Sequence, residues 1–124
     1  MSNEVVDIKE LWNDSEKLLE KIYDTLKASA QISDDEISKD FLDKLSDSSK
    51  ESMIFVNKLL KFPNKDMLKL NQICADRLVT FVNLTDKLPR DTNAILSGKI
   101  VIEDYLNLLT TVLPVILYLN ETLN

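Results

Sequence analysis

Histidine is absent from this chain of 124 residues, glycine and cysteine occur once each, and proline occurs three times. Each scarcity excludes something. Without imidazole there is no Glu-x-x-His pair for a di-metal bundle site and no side chain that ordinarily titrates near neutral pH. A single glycine leaves no loop able to bring several backbone N–H groups against a phosphate. The lone Cys74 has no intramolecular disulfide partner, so the expected fold does not depend on an oxidising compartment. Most familiar enzyme sites are excluded by these absences, and no catalytic, cofactor or metal residue is assigned.

Charge is also short on one side. Fifteen basic residues against twenty-one acidic ones give a net charge of −6. Fourteen of the acids, with seven lysines, lie in residues 1–52, whereas residues 53–124 carry seven acids and eight bases. An acidic surface repels nucleic acid and anionic membranes at long range, so neither is expected as a partner. Met1-Ser2-Asn3-Glu4 has neither the basic nor the apolar region of a signal peptide, which gives a cytoplasmic expectation. Three Asn-x-Ser/Thr matches carry no weight without secretion.

What is present is apolar residues at helical spacing. The length fits one domain, residues 1–124, with one core. Between Glu4 and Ala30, Ile8, Trp12, Leu19, Ile22 and Leu26, flanked by Leu11 and Leu18, form one stripe opposite a charged face. Asn3 is its candidate N-cap. Ser33-Asp34-Asp35-Glu36 reads as a capping box opening a second helix, with the acids where the helix dipole favours them. Its stripe runs Ile37, Phe41, Leu45, Ser48, Ser52, Phe55, Val56, Leu59 and Phe62 as far as Pro63. The serines interrupt the apolar seam, so two shorter helices are an alternative, but one long helix is preferred.

A third helix is expected from Asn64 to Leu88, with Met67, Leu70, Ile73, Cys74, Leu78, Phe81, Leu84 and Leu88 inward. A short helical turn over 91–97, closed by Gly98, precedes the last helix. That helix, from about Lys99 to Thr122, carries Ile102, Tyr105, Leu109, Val112, Ile116, Leu119 and Leu123 in one stripe. Val101, Leu108 and Val115 widen it on one flank, and Leu106, Leu113 and Leu117 on the other. Pro114 falls on the polar arc, where water can satisfy the carbonyl it leaves without a donor. Tyr105 to Asn120 has no charge, but it is shorter than the ~20 residues of a span and contains Asn107, Thr110 and Thr111, so a core helix is expected. The fold class that follows is an all-α bundle of about four long antiparallel helices plus the short turn.

Few residues break this pattern. The acids Asp34, Asp35, Glu36, Asp40 and Asp43 lack the alternation and turn glycine of a calcium loop, and capping explains them. Lys58, Lys61, Lys65 and Lys69 suggest a basic stripe, but Pro63 divides them and no aromatic platform accompanies them. Cys74 lies among apolar neighbours, as a buried inert thiol does. Trp12 is in phase with its stripe and is assigned to the core. Arg77 projects among Leu70, Ile73, Phe81 and Leu84, so it must pair with an acid from another helix, reach the edge, or face a partner.

The last helix carries more apolar surface than one neighbour hides. The expected partner surface is its Leu106, Leu113 and Leu117 flank, with Arg77 on the third helix. The expected function is non-catalytic protein binding by a small cytosolic adaptor, regulatory subunit or chaperone, through another protein or a second copy. The alternative is a small acidic inhibitor or immunity-type protein that neutralises a toxin or enzyme through its N-terminal half. An enzyme using carboxylates alone finds no support, because no paired acids share an apolar face.

Overall fold

The computed structural model describes residues 8–31, 38–61, 72–87 and 99–123. They form α1 (Ile8–Ala30), α2 (Lys39–Leu60), α3 (Gln72–Lys87) and α4 (Lys99–Leu123), with no strand among the described residues. The protein is an all-α bundle. The caps expected at Asn3 and Asn64 and the helical turn over 91–97 lie outside the described residues, as do Lys65 and Lys69.

α2 is one unbroken helix, and its start corrects the sequence expectation. Ser38 is the N-cap of α2: its backbone is extended and its Oγ accepts from Phe41 N at 3.2 Å, whereas the capping box expected over 33–36 lies outside the described residues. Ser38 occupies the cap because the buried run of the helix begins three residues later, at Phe41 and Leu42. At the other end the Lys61 N–H donates to Asn57 O at 3.2 Å, closing the last turn before Pro63.

α1 and α2 run antiparallel. Lys21 pairs with Asp47 at 2.9 Å, and Lys58 with Asp14 at 2.9 Å, so residues late in one helix meet residues early in the other. The start of α1 also meets the end of α4, where Trp12 Nε1 donates to Asn120 O at 3.2 Å and Asn120 Nδ2 donates to Ser15 Oγ at 3.1 Å. α2 and α4 are both antiparallel to α1 and therefore run in the same direction. They nonetheless touch, because α4 is central and packs on α1, α3 and α2. Alternating directions along the chain require α2 and α4 to be parallel, and this diagonal pair is.

The core explains that centrality. Leu108, Leu109, Val112, Val115, Ile116 and Leu119 of α4 are completely buried, and each such side chain contributes ~1.5–3 kcal/mol relative to exposure. Of the two apolar flanks of α4, the one bearing Leu108 and Val115 is the one fully enclosed. Ile102–Thr122 is long and apolar enough to cross a bilayer by length and composition, and here it is the helix around which the others pack. Pro114 sits half-buried within it, and the Thr110 carbonyl it cannot serve belongs to an exposed residue.

On α1 the buried line is Leu11, Ser15, Leu18, Ile22 and Thr25, one position off the expected stripe. Trp12, Leu19 and Leu26 flank it at partial exposure, so Trp12 is a rim residue rather than a central one. Two hydroxyl residues lie on the buried line: Thr25 meets Ser48 of α2, whose neighbours Ser49 and Ser52 are also buried, and Ser15 accepts from Asn120 of α4. Small side chains let α1 and α2 approach, and Thr25 and Ser48 hydrogen-bond each other, while Ser49 Oγ is buried with no hydrogen-bond partner among the described residues.

Candidate functional site

The residues expected to bind a partner occupy two neighbouring helices. Leu106, Leu113 and Leu117 are half-buried on α4, and Leu106 and Leu113 pack against the core from its edge. Arg77 is half-buried on α3, the helix that packs on α4, and it forms no ion pair with another described residue. Of its three expected fates, edge placement matches the structure.

α3 is rotated relative to the expectation, which is why Arg77 does not interrupt its core. Cys74, Leu78 and Phe81 are its buried residues, whereas Ile73, expected inward, is 66% exposed. Apolar residues surround most of α3, so periodicity alone did not choose its inward direction; the position of α4 did. Cys74 is buried, as its place on the stripe predicts.

The same rotation opens an apolar groove. α3 packs on α4 but shares no comparable interface with α2 among the described residues. Between them is a groove of about 350 Å³, walled by Leu59 and Leu60 of α2 and by Ala75, Leu78, Val79, Val82 and Asn83 of α3. Leu59 and Leu78 are buried at its base, while Leu60 at 39% and Val79 at 61% exposure stand at its mouth. Val79 and Val82 are apolar positions off the expected inward stripe of the third helix, and the α2 wall was not legible in the sequence. That wall depends on how far apart two helices stand, which no spacing within either one reveals.

Between α1 and α2 several surface charges are paired. A shallow crevice of about 110 Å³ between α1 and α2 includes Asp14, Lys17, Lys21, Glu51 and Lys58 in its lining. Lys58 Nζ donates to Asp14 Oδ2 at 2.9 Å and lies 3.8 Å from Glu10. The hydrogen bond to Asp14 raises the Lys58 pKa above its ordinary value, and the bond to Asp47 does the same for Lys21. Of the acidic cluster, Asp40 lies 3.6 Å from Lys44 and Asp43 is exposed, while Asp34, Asp35 and Glu36 lie outside the described residues.

No protein family, curated protein or solved structure matches this chain. The groove is therefore weighed on its own chemistry. Its described lining is apolar except for Asn83, a surface suited to receiving apolar side chains.

Proposed function

We propose that this protein is a non-catalytic protein-binding module, of the adaptor, regulatory-subunit or chaperone kind, acting in the cytoplasm. The observation that carries the reading is the open groove between α2 and α3, with Leu60 and Val79 exposed at its mouth. A partner's apolar side chains seated there would remove from water the surface that the bundle leaves uncovered. The flank of Leu106 and Leu113 is already partly occupied by the protein's own core and is the lesser surface.

The acidic-inhibitor alternative rests on charge, and the helices do not concentrate that charge. Helices α1 and α2 with the Lys61 cap carry nine acids and nine lysines, and Glu4, Asp7, Asp34, Asp35 and Glu36 lie outside the described residues. An apolar groove is the stronger support.

Site-specific photocrosslinking in cells of the source tests the reading. A photoreactive residue at Val79 is expected to give a discrete protein adduct that persists at high salt, whereas one at the exposed Lys17 gives none. No adduct at Val79, or a salt-sensitive adduct at Lys17 alone, would remove the groove reading and favour the electrostatic one.

A further inference from the structure

We propose that the occupant of the groove is a second copy of this chain, placed by a two-fold axis so that α3 of each protomer lies against α2 of its partner. The inference rests on the protein-binding reading and names its partner. Two observations support it beyond the apolar surface itself.

The first is that α3 is half-supported. Among the described residues it has one substantial neighbour, α4, and its groove-facing residues Ala75, Val79 and Val82 have no α2 surface closed over them. A helix from a symmetry mate supplies the missing neighbour, with Leu60 and Val79 of each copy entering the cleft of the other.

The second is the charge on either side of the cleft. On α2, the exposed Lys50 and Lys61 lie on the solvent side of Leu60, and neither forms an ion pair with another described residue. On α3, the exposed Asp76 and Asp86 lie within about 60° of Val79 around the helix. The Asp76 carboxylate accepts from Gln72 of its own helix at 2.9 Å, and no cation among the described residues pairs with either carboxylate. A cationic rim facing an anionic rim is self-complementary under a two-fold rotation, since an isologous contact sets residue i against j and j against i. Lys50 and Lys61 of one protomer then face Asp76 and Asp86 of the other, twice.

Sedimentation equilibrium on the full chain is the test. The wild-type mass is expected to rise to twice the chain mass with concentration. Val79→Glu, at an exposed position, is expected to remain helical by circular dichroism and become monomeric, while Ile73→Glu, about 120° away on the same helix, remains dimeric. The deciding arm is charge exchange: K50E/K61E alone and D76K/D86K alone are each expected to be folded monomers, and their equimolar mixture a dimer. A wild type that is monomeric at every accessible concentration overturns the proposal. So does a dimer that survives Val79→Glu or is lost with Ile73→Glu, or a mixture that stays monomeric. A monomeric wild type whose Val79 still crosslinks to a different protein overturns self-association while leaving the protein-binding reading intact; failure of both experiments removes both.

Discussion

Thr25 of α1 and Ser48 of α2 hold their hydroxyl oxygens 2.6 Å apart, and each reaches a carbonyl of the opposite helix. Ser48 Oγ lies 3.2 Å from Lys21 O, and Thr25 Oγ1 lies 3.3 Å from Lys44 O and 2.9 Å from Lys21 O. Each hydroxyl has one proton, so a consistent arrangement has Thr25 donating to Lys21 O and Ser48 donating to Thr25. Ser52 Oγ donates to Ser48 O at 2.7 Å on the same line. This clasp fixes the register of α1 against α2 and requires small side chains there.

Restoring an apolar seam in α2 is therefore expected to weaken the protein. Ser48→Leu and Ser52→Leu introduce volume where backbones lie close, and each should cost ~1–3 kcal/mol by overpacking, with Ser48→Leu also leaving Thr25 without its partner. Ser48→Ala removes only the hydroxyl and should cost about 1 kcal/mol. Urea denaturation followed by circular dichroism checks the order; a more stable Ser48→Leu variant would show that the clasp does not set the packing.

At the other end of α1, Asn120→Ala removes the amide that donates to Ser15 Oγ but keeps the backbone carbonyl that receives the Trp12 indole. A loss of about 1 kcal/mol is expected, with the fluorescence of the only tryptophan little changed in the folded state. Trp12→Phe removes the bond to α4 itself and should cost more. Thermal melts of both variants give the comparison.

Lys58 links α2 to Asp14 and Glu10 of α1, and its hydrogen bond to Asp14 raises its pKa above 10.5. A raised folded-state pKa means that the associated stability is fully present below the ordinary lysine value and is lost as pH rises through the folded-state value. The pair is partly solvated, so after screening it is worth under about 1 kcal/mol. The stability gap between wild type and Lys58→Met should be constant from neutral pH to about pH 10 and close above it. A gap that persists at higher pH would assign the loss to packing of the lysine stem instead.

Arg77→Met is expected to change stability by no more than about 0.5 kcal/mol, as for a rim residue without an ion pair among the described residues. A loss of several kcal/mol in a urea melt would place Arg77 in a buried pair.

Leu113 and Leu117 separate core edge from open flank. Leu113 packs against the core and Leu117 is not among the side chains that do so, although both are half-buried. Leu113→Glu should therefore destabilise by ~1–3 kcal/mol and Leu117→Glu by less, both measured by thermal melting. Equal losses would place the whole flank in the core.

The amino-acid sequence determined the helices themselves, because a period of 3.6 residues is a local property. It located one long α2 despite Ser48 and Ser52, the uninterrupted apolar stripe of α4, and the burial of Cys74, Phe81 and Leu109. Only the tertiary structure decided which way each helix turned its broad apolar arc. Ile73 and Phe81 both lie on an apolar side of α3, yet one is 66% exposed and the other 1%, because α4 covers a limited sector. Thr25 reads as polar until α2 sets a carbonyl and a hydroxyl beside it, and Ser15 until Asn120 of α4 reaches it, and the cleft between Leu60 and Val79 exists only because α2 and α3, consecutive in the chain, stand apart. Periodicity fixes the direction of an apolar face within one helix; the distance to the next helix decides whether that face becomes core, clasp or groove.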